Sequence, residues 1–262
     1  MAREKASTAT IKTSYHLTWQ ECVEMMESEK AQAFLDYAKV FPVSYCGCTS
    51  RQAYNYFKNG WTTDRPSSDT PASTGVGYTT VLSNEGAYPD ISAFLSGDPE
   101  CMVAMQPESV QAPRFIRLRV GIAASHTVSA TEMFAFGKRI LSLVDSLESS
   151  GYRVALEVGV AVSKTLTSPI VSTVVLIKDY HEPLDEGQVC FALGHPAFLR
   201  IIFFGLADCL TTEHDPHPMS RFVDVRHGYT AHLSKGEADI CIPSYLIPRV
   251  LENTITRELA EL

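Results

Sequence analysis

Residues 129–163 read SATEMFAFGKRILSLVDSLESSGYRVALEVGVAVS. Two periods meet in this stretch. Apolar residues first recur at helical spacing from Met133 to Leu147, opened by a Ser129/Glu132 capping box and closed by Gly151. The pattern then changes to a long apolar run, Tyr152–Ser163, which reads as a buried strand. A second β-branched run follows at 169–180 (PIVSTVVLIKDY) after only Lys164–Ser168. Five residues cannot carry a parallel crossover, which needs about a dozen. The two strands are therefore expected to pair antiparallel, as a hairpin.

Working outward, RFIRLRVGIA (114–123) reads as the strand before this helix. EGQVCFALGHPAFLRIIFFGLADCL reads as one long helix, or two broken near Gly194-His195-Pro196. ADICIPSY is a late strand and SYLIPRVLENTITRELAEL a closing helix. Strands alternating with helices imply an α/β fold, a mostly parallel sheet with helices on both faces. Upstream, residues 17–40 read as a helix capped by Thr18, and 49–60 as a second, capped by Thr49 and stopped by Gly60. TTDRPSSDTPASTGVG (62–77) reads as a mobile loop and an internal boundary, and a short helix is expected after Pro89. The domain reading is thus a helical N-terminal region over 1–85 and an α/β domain over 86–262.

The chain has 262 residues, a net charge of −8 and a pI near 5.5. That balance argues against broad duplex binding, which needs a dense basic surface, though not against a local basic groove. No apolar run reaches the roughly 18 residues of a membrane span, and the N-terminus lacks a signal-peptide core. A cytoplasmic location follows as the expectation. Seven cysteines, several in apolar runs, read as free buried thiols rather than a disulfide framework.

The order strand, capped helix, Gly-Tyr turn and two long strands resembles a von Willebrand factor A-like domain. SLVDSLESSGYRVALEVGVAV is similar to the first helix and second strand of that fold. GAYPDISAFLSGDPECM is similar to a segment of an uncharacterised bacteriophage protein family with such a domain. The resemblance spans roughly 86–250. Under it, the hairpin is the one antiparallel edge of an otherwise parallel sheet, ending at Ile170–Asp179 with Lys178 and Asp179 as its protecting charges, and a phage-encoded protein would act in the host cytoplasm. Such domains hold Mg²⁺ through Asp-x-Ser-x-Ser after the first strand. Aligned on Ser125, Gly121 and Ala123 stand at the Asp and first Ser positions. A single hydroxyl cannot balance a divalent charge. The resemblance therefore implies a degenerate site with no metal and no cofactor. Ser125, His126 and Ser129 are left as an anion- or partner-binding turn at a helix N-terminus.

Two further constellations stand out. EHDPHP and RHGYTAH place His214, His217, His227 and His232 within 19 residues, a composition suited to Zn²⁺ or Fe²⁺, on a segment that Pro216 and Pro218 keep from being a helix. SRQAYNYFKNGW interleaves Arg51 and Lys58 with Tyr54 and Trp61, as single-strand binders do. The same aromatics at helical spacing also describe a core face. Cys46-Gly47-Cys48 precedes a helix, a position that lowers a thiol pKa, but no histidine partner is assignable from sequence. No Walker A, dinucleotide fingerprint or GxSxG elbow is present. Three functions follow as expectations. The first is a non-catalytic module binding a protein partner during phage infection or assembly. The second is a single-stranded nucleic-acid-binding accessory protein in phage replication or transcription. The third is a metal-dependent enzyme using the 213–232 histidine segment. Self-association is compatible with any of them.

Overall fold

A computed structural model describes residues 11–61, 78–107, 114–125, 127–163, 169–212, 217, 219, 229–244 and 248–260. In chain order the elements are β1 (Ile11–Thr18), α1 (Trp19–Glu27), α2 (Glu29–Tyr37), α3 (Val43–Cys46), α4 (Ser50–Asn59), β2 (Tyr78–Ser83), β3 (Tyr88–Pro89), α5 (Ile91–Leu95), β4 (Met102–Pro107) and β5 (Arg114–Gly121). There follow α6 (Ala130–Ser149), β6 (Tyr152–Ser163), β7 (Ile170–Lys178), α7 (Glu186–Gly194), a π-helical turn (Phe198–Phe203), α8 (Phe204–Leu210), β8 (Tyr229–Ala231), β9 (Ile240–Ile242) and α9 (Pro248–Ala260).

The capping signals act where the sequence places them. Ser129 accepts from the Glu132 amide while Glu132 reaches back to the Ser129 amide, and Thr18 with Glu21 and Thr49 with Gln52 form the same box. Gly151, at φ 86°, ends α6. The helix read over 17–40 is instead a strand end and two helices. Ser28 closes α1 and its hydroxyl caps α2, so the chain turns there rather than running straight.

The chain divides into two compact units, Met1–Arg65 with Phe115–Leu262, and Pro66–Arg114. The division does not follow residue 85, because β1 belongs to the large sheet and α4 packs into the large unit's core. The large unit is mixed α/β. Its sheet runs β1-β7-β6-β5-β9, with β8 added on β6. β1–β7 and β5–β9 are parallel, β6–β7 antiparallel. The expected hairpin is thus present, with Val158 opposite Val175. It is not the edge of the sheet. β1 pairs along β7 from Ile11–Ile170 to Thr18–Leu176, and β1 takes the outer position. Lys178, read as an edge charge, is buried, donating to the Val154 carbonyl at 2.8 Å and pairing with Glu148 at 2.8 Å.

Helices were expected on both faces of this sheet. Among the described residues they gather on one. Ile116, Leu118 and Val120 of β5 and Val154, Leu156 and Val158 of β6 enter a single core with Met26, Phe34, Phe57, Ile140, Phe191, Phe198 and Leu251. The alternate residues face a thin second cluster, Ala161, Val174 and Leu233. Beside it the buried Arg119 donates to Glu157 at 2.7 Å and to the Ser234 and Lys235 carbonyls at 3.2 Å. α9 seals the end strand: Glu258 accepts from the Cys241 amide at 3.1 Å and pairs with Lys235. No single helix among the described residues is long and apolar enough to cross a membrane.

The small unit carries a three-stranded antiparallel sheet in the order β2-β4-β3, with α5 capped by Asp90.

Candidate functional site

The β5–α6 turn lies at the carboxyl end of a sheet strand, the usual ligand position in an α/β sheet. Its first residue explains the missing carboxylate. A Cβ on Gly121 would stand 2.4 Å from the Pro243 carbonyl oxygen, so no side chain fits there. The turn is held from behind by Arg200, on the π-helical turn and 3 % exposed. Its guanidinium donates to the Tyr45 carbonyl at 2.6 Å and to the Ser125 and Val128 carbonyls at 3.1 Å. It also lies 4.3 Å from the Tyr45 ring centre, a cation–π contact. Arg200 thus ties the segment before α4, the turn and the α7–α8 connection at one point. The Ser125 hydroxyl accepts from the Thr127 hydroxyl at 3.1 Å, and Ser129 serves as the α6 cap. His126 lies outside the described residues.

Next to this hub is His195, at the α7 C-terminus. Its Nδ1 accepts from the Ala197 amide at 3.1 Å, and the rings of Tyr56, Trp61 and Phe191 surround it. Burial in this aromatic setting lowers its pKa to about 4, so the ring is neutral. Gly47, at φ 80°, passes so close that a Cβ there would lie 3.1 Å from His195 Cε1. The flanking thiols are raised by burial, Cys46 to about 11 and Cys48 to about 12. Desolvation outweighs the helix terminus, and neither is an activated nucleophile.

The residues of α4 divide between core and surface. Phe57 is buried against Trp19 and Phe198, and Trp61 packs edge-on against Phe134 and His195. Arg51 and Lys58 are exposed. Lys58 pairs with Glu27 at 2.6 Å and sits 5.8 Å over Tyr54. The aromatic stripe therefore serves chiefly to dock α4.

Of the four histidines in the candidate metal segment, His214 and His227 lie outside the described residues. His217 is buried; its Nδ1 accepts from the Met219 amide at 3.2 Å, and its Nε2 is 3.1 Å from the Thr173 hydroxyl. That ring ties the segment after α8 to the sheet. His232 is exposed and not placed with His217 in a ligand cluster; no group of three or more candidate ligands forms among the described residues.

The small unit presents a different surface. Between Phe57 and Ile116 no described side chain is buried. Leu82, Tyr88 and Met105 are 47, 53 and 65 % exposed, and Ile91, Phe94 and Leu95 of α5 are 72, 63 and 79 % exposed. Leu82 and Tyr88 both stand opposite Val103, two residues from Met105, so the sheet residues share one face. Its sequence signal is the apolar spacing Ile91-Phe94-Leu95 and the run YTTVLS, a weak one because loop-forming stretches flank both.

Residues 10–262 match the family model described as Domain of unknown function (DUF7192). The chain belongs to this family. No curated protein and no solved structure matches it. The DUF7192 match runs through both units, so the small sheet is part of the family's domain and not an appendage to it.

Proposed function

We propose that this DUF7192 protein is a non-catalytic interaction module that binds a protein partner. The large unit serves as a degenerate von Willebrand A-like scaffold, and the small unit serves as the docking surface. On this reading the protein is phage-encoded and acts in the host cytoplasm during infection or assembly, as the likeness of GAYPDISAFLSGDPECM to phage sequences suggests.

One observation carries the reading. Six large apolar side chains of the small unit face solvent, and no described residue there is buried. Soluble proteins rarely leave such a surface uncovered unless it binds something. The β6–β7 hairpin and the β5–α6–β6 succession support the von Willebrand A-like scaffold. The β5–α6 turn supports a structural role for that region, since Gly121 excludes a carboxylate and Arg200 occupies the Ser125 and Val128 carbonyls. The nucleic-acid alternative draws less support, because Lys58 is engaged by Glu27 and Trp61 is packed inward. The metal-enzyme alternative would need His217, which already ties the backbone at Met219 and the hydroxyl of Thr173.

The test is comparative capture with the full chain from cells in which it is naturally made. A partner retained stoichiometrically by the natural chain and lost by the double variant Phe94→Asp/Leu95→Asp, with an unchanged melting temperature, is the expected result. An identical set of proteins on both baits would overturn the proposal.

A further inference from the structure

The small unit also has a definite edge. Among the described residues β2 pairs only with β4, so one side of Tyr78–Ser83 is open. The direction of its amides follows from the ladder. The Val103 carbonyl accepts from the Ala87 amide at 2.9 Å, on the β3 side, so Val103 faces away from β2. Its partner Leu82 is then a non-hydrogen-bonded position, and the Leu82 amide and carbonyl point out from the open edge. By alternation the Thr80 amide points the same way. The strand YTTVLS contains no charge and no proline, the features that usually protect an exposed edge.

Charge narrows the occupant. Residues 66–114 contain six acidic side chains and one basic, Arg114, and so hold five of the chain's eight net negative charges. A second copy of this chain would bring like charge against like.

We propose that the open edge of β2 accepts an extended, basic segment of the partner protein as an added strand, with the segment's apolar residues on Leu82 and Met105 and its Lys or Arg side chains matched to the net negative charge of the small unit. This rests on the interaction-module reading and adds the partner's chemistry and pairing mode. Main-chain hydrogen bonds to Thr80 and Leu82 supply the register, and the unit's net negative charge selects a cationic segment.

The experiment uses the full chain and a labelled, capped eight-residue peptide alternating Lys and Val, read by fluorescence anisotropy. Saturable binding is expected, about tenfold weaker for the matching Glu-Val peptide and several-fold weaker on raising salt from about 50 to about 500 mM. Thr80→Pro removes one outward amide without touching the β2–β4 ladder and should weaken binding by about tenfold, while Thr80→Ala stays within about twofold. Circular dichroism of both variants should match the natural chain. Absence of saturable binding, equal binding of the two peptides, or an unchanged affinity in Thr80→Pro would each overturn strand addition. The capture experiment separates the two readings. A partner lost on Phe94→Asp/Leu95→Asp but kept by Thr80→Pro leaves the module and removes the added strand, whereas a partner kept by both removes the module.

Discussion

Replacing Arg200 with methionine probes the point at which three segments of the large unit meet. Methionine has similar length and apolar character, so it keeps most of the packing volume and deletes only the guanidinium. Three donations to carbonyls are lost, at Tyr45, Ser125 and Val128. Hydrogen bonds from a charged donor contribute about 1.5–3 kcal/mol each, and a carbonyl left buried without a partner costs about 1–3 kcal/mol. Two terms oppose this. Ser125 is exposed, so its carbonyl regains water, and the Arg200 Nε is already buried without a partner among the described residues. Burying a guanidinium also carries a desolvation cost that methionine avoids. The balance is a loss of about 3 kcal/mol. At about 2–4 °C per kcal/mol for a chain of this size, the midpoint should fall by about 10 °C. Arg200→Lys should lose somewhat less, because an ammonium cannot span all three carbonyls. The assay is thermal and urea denaturation of the full chain. An Arg200→Met midpoint equal to or above that of the natural chain would refute the hub and show that desolvation dominates.

Three further outcomes follow from the same geometry. Ser129→Ala removes the α6 cap and should cost about 1 kcal/mol by urea denaturation, with partner capture unchanged. Gly121→Ala drives a Cβ against the Pro243 carbonyl and should destabilise by about 3 kcal/mol, more than any exposed Gly→Ala change in the same protein. His195 has a folded pKa near 4 against an ordinary 6.5, so the unfolded chain takes up a proton first as pH falls. Its contribution is full above about pH 6.5 and is lost toward pH 4, a change on the order of a few kcal/mol, and His195→Gln should flatten that part of the stability–pH curve.

The parts of the fold legible in the sequence were those fixed by neighbours in the chain. The Ser129/Glu132 box, the Gly151 stop and the five-residue connection between the two long strands determine α6 and the β6–β7 hairpin locally. The break at His195-Pro196 likewise appears as the separation of α7 from the π-helical turn. What was not legible depends on distant partners. β1 is the clearest case: IKTSYHLT alternates Ile11, Thr13, Tyr15 and Leu17 with more polar residues, but its pairing with β7 is set by residues about 160 positions away. Adding β1 removed the edge role assigned to Ile170–Asp179. The one-sided gathering of helices was hidden for the same reason, since Arg119 and Glu157 look like surface charges until the 234–235 carbonyls are placed beside them. At the candidate sites, residue type alone could not distinguish a ligand from a tie. His217 has the composition of a metal ligand and the contacts of a backbone staple. Trp61 has the composition of a stacking platform and the packing of a core residue.

The central claim is that partners dock on the small unit along β2, and amide hydrogen exchange tests it residue by residue. Exchange of the full chain is followed alone and with a saturating amount of the Lys-Val peptide. The account predicts that the Thr80 and Leu82 amides slow by about tenfold or more on binding, while amides of α6 keep their rates. Protection that appears instead across Gly121–Ser129, with Thr80 and Leu82 unchanged, would contradict it and move the site to the β5–α6 turn.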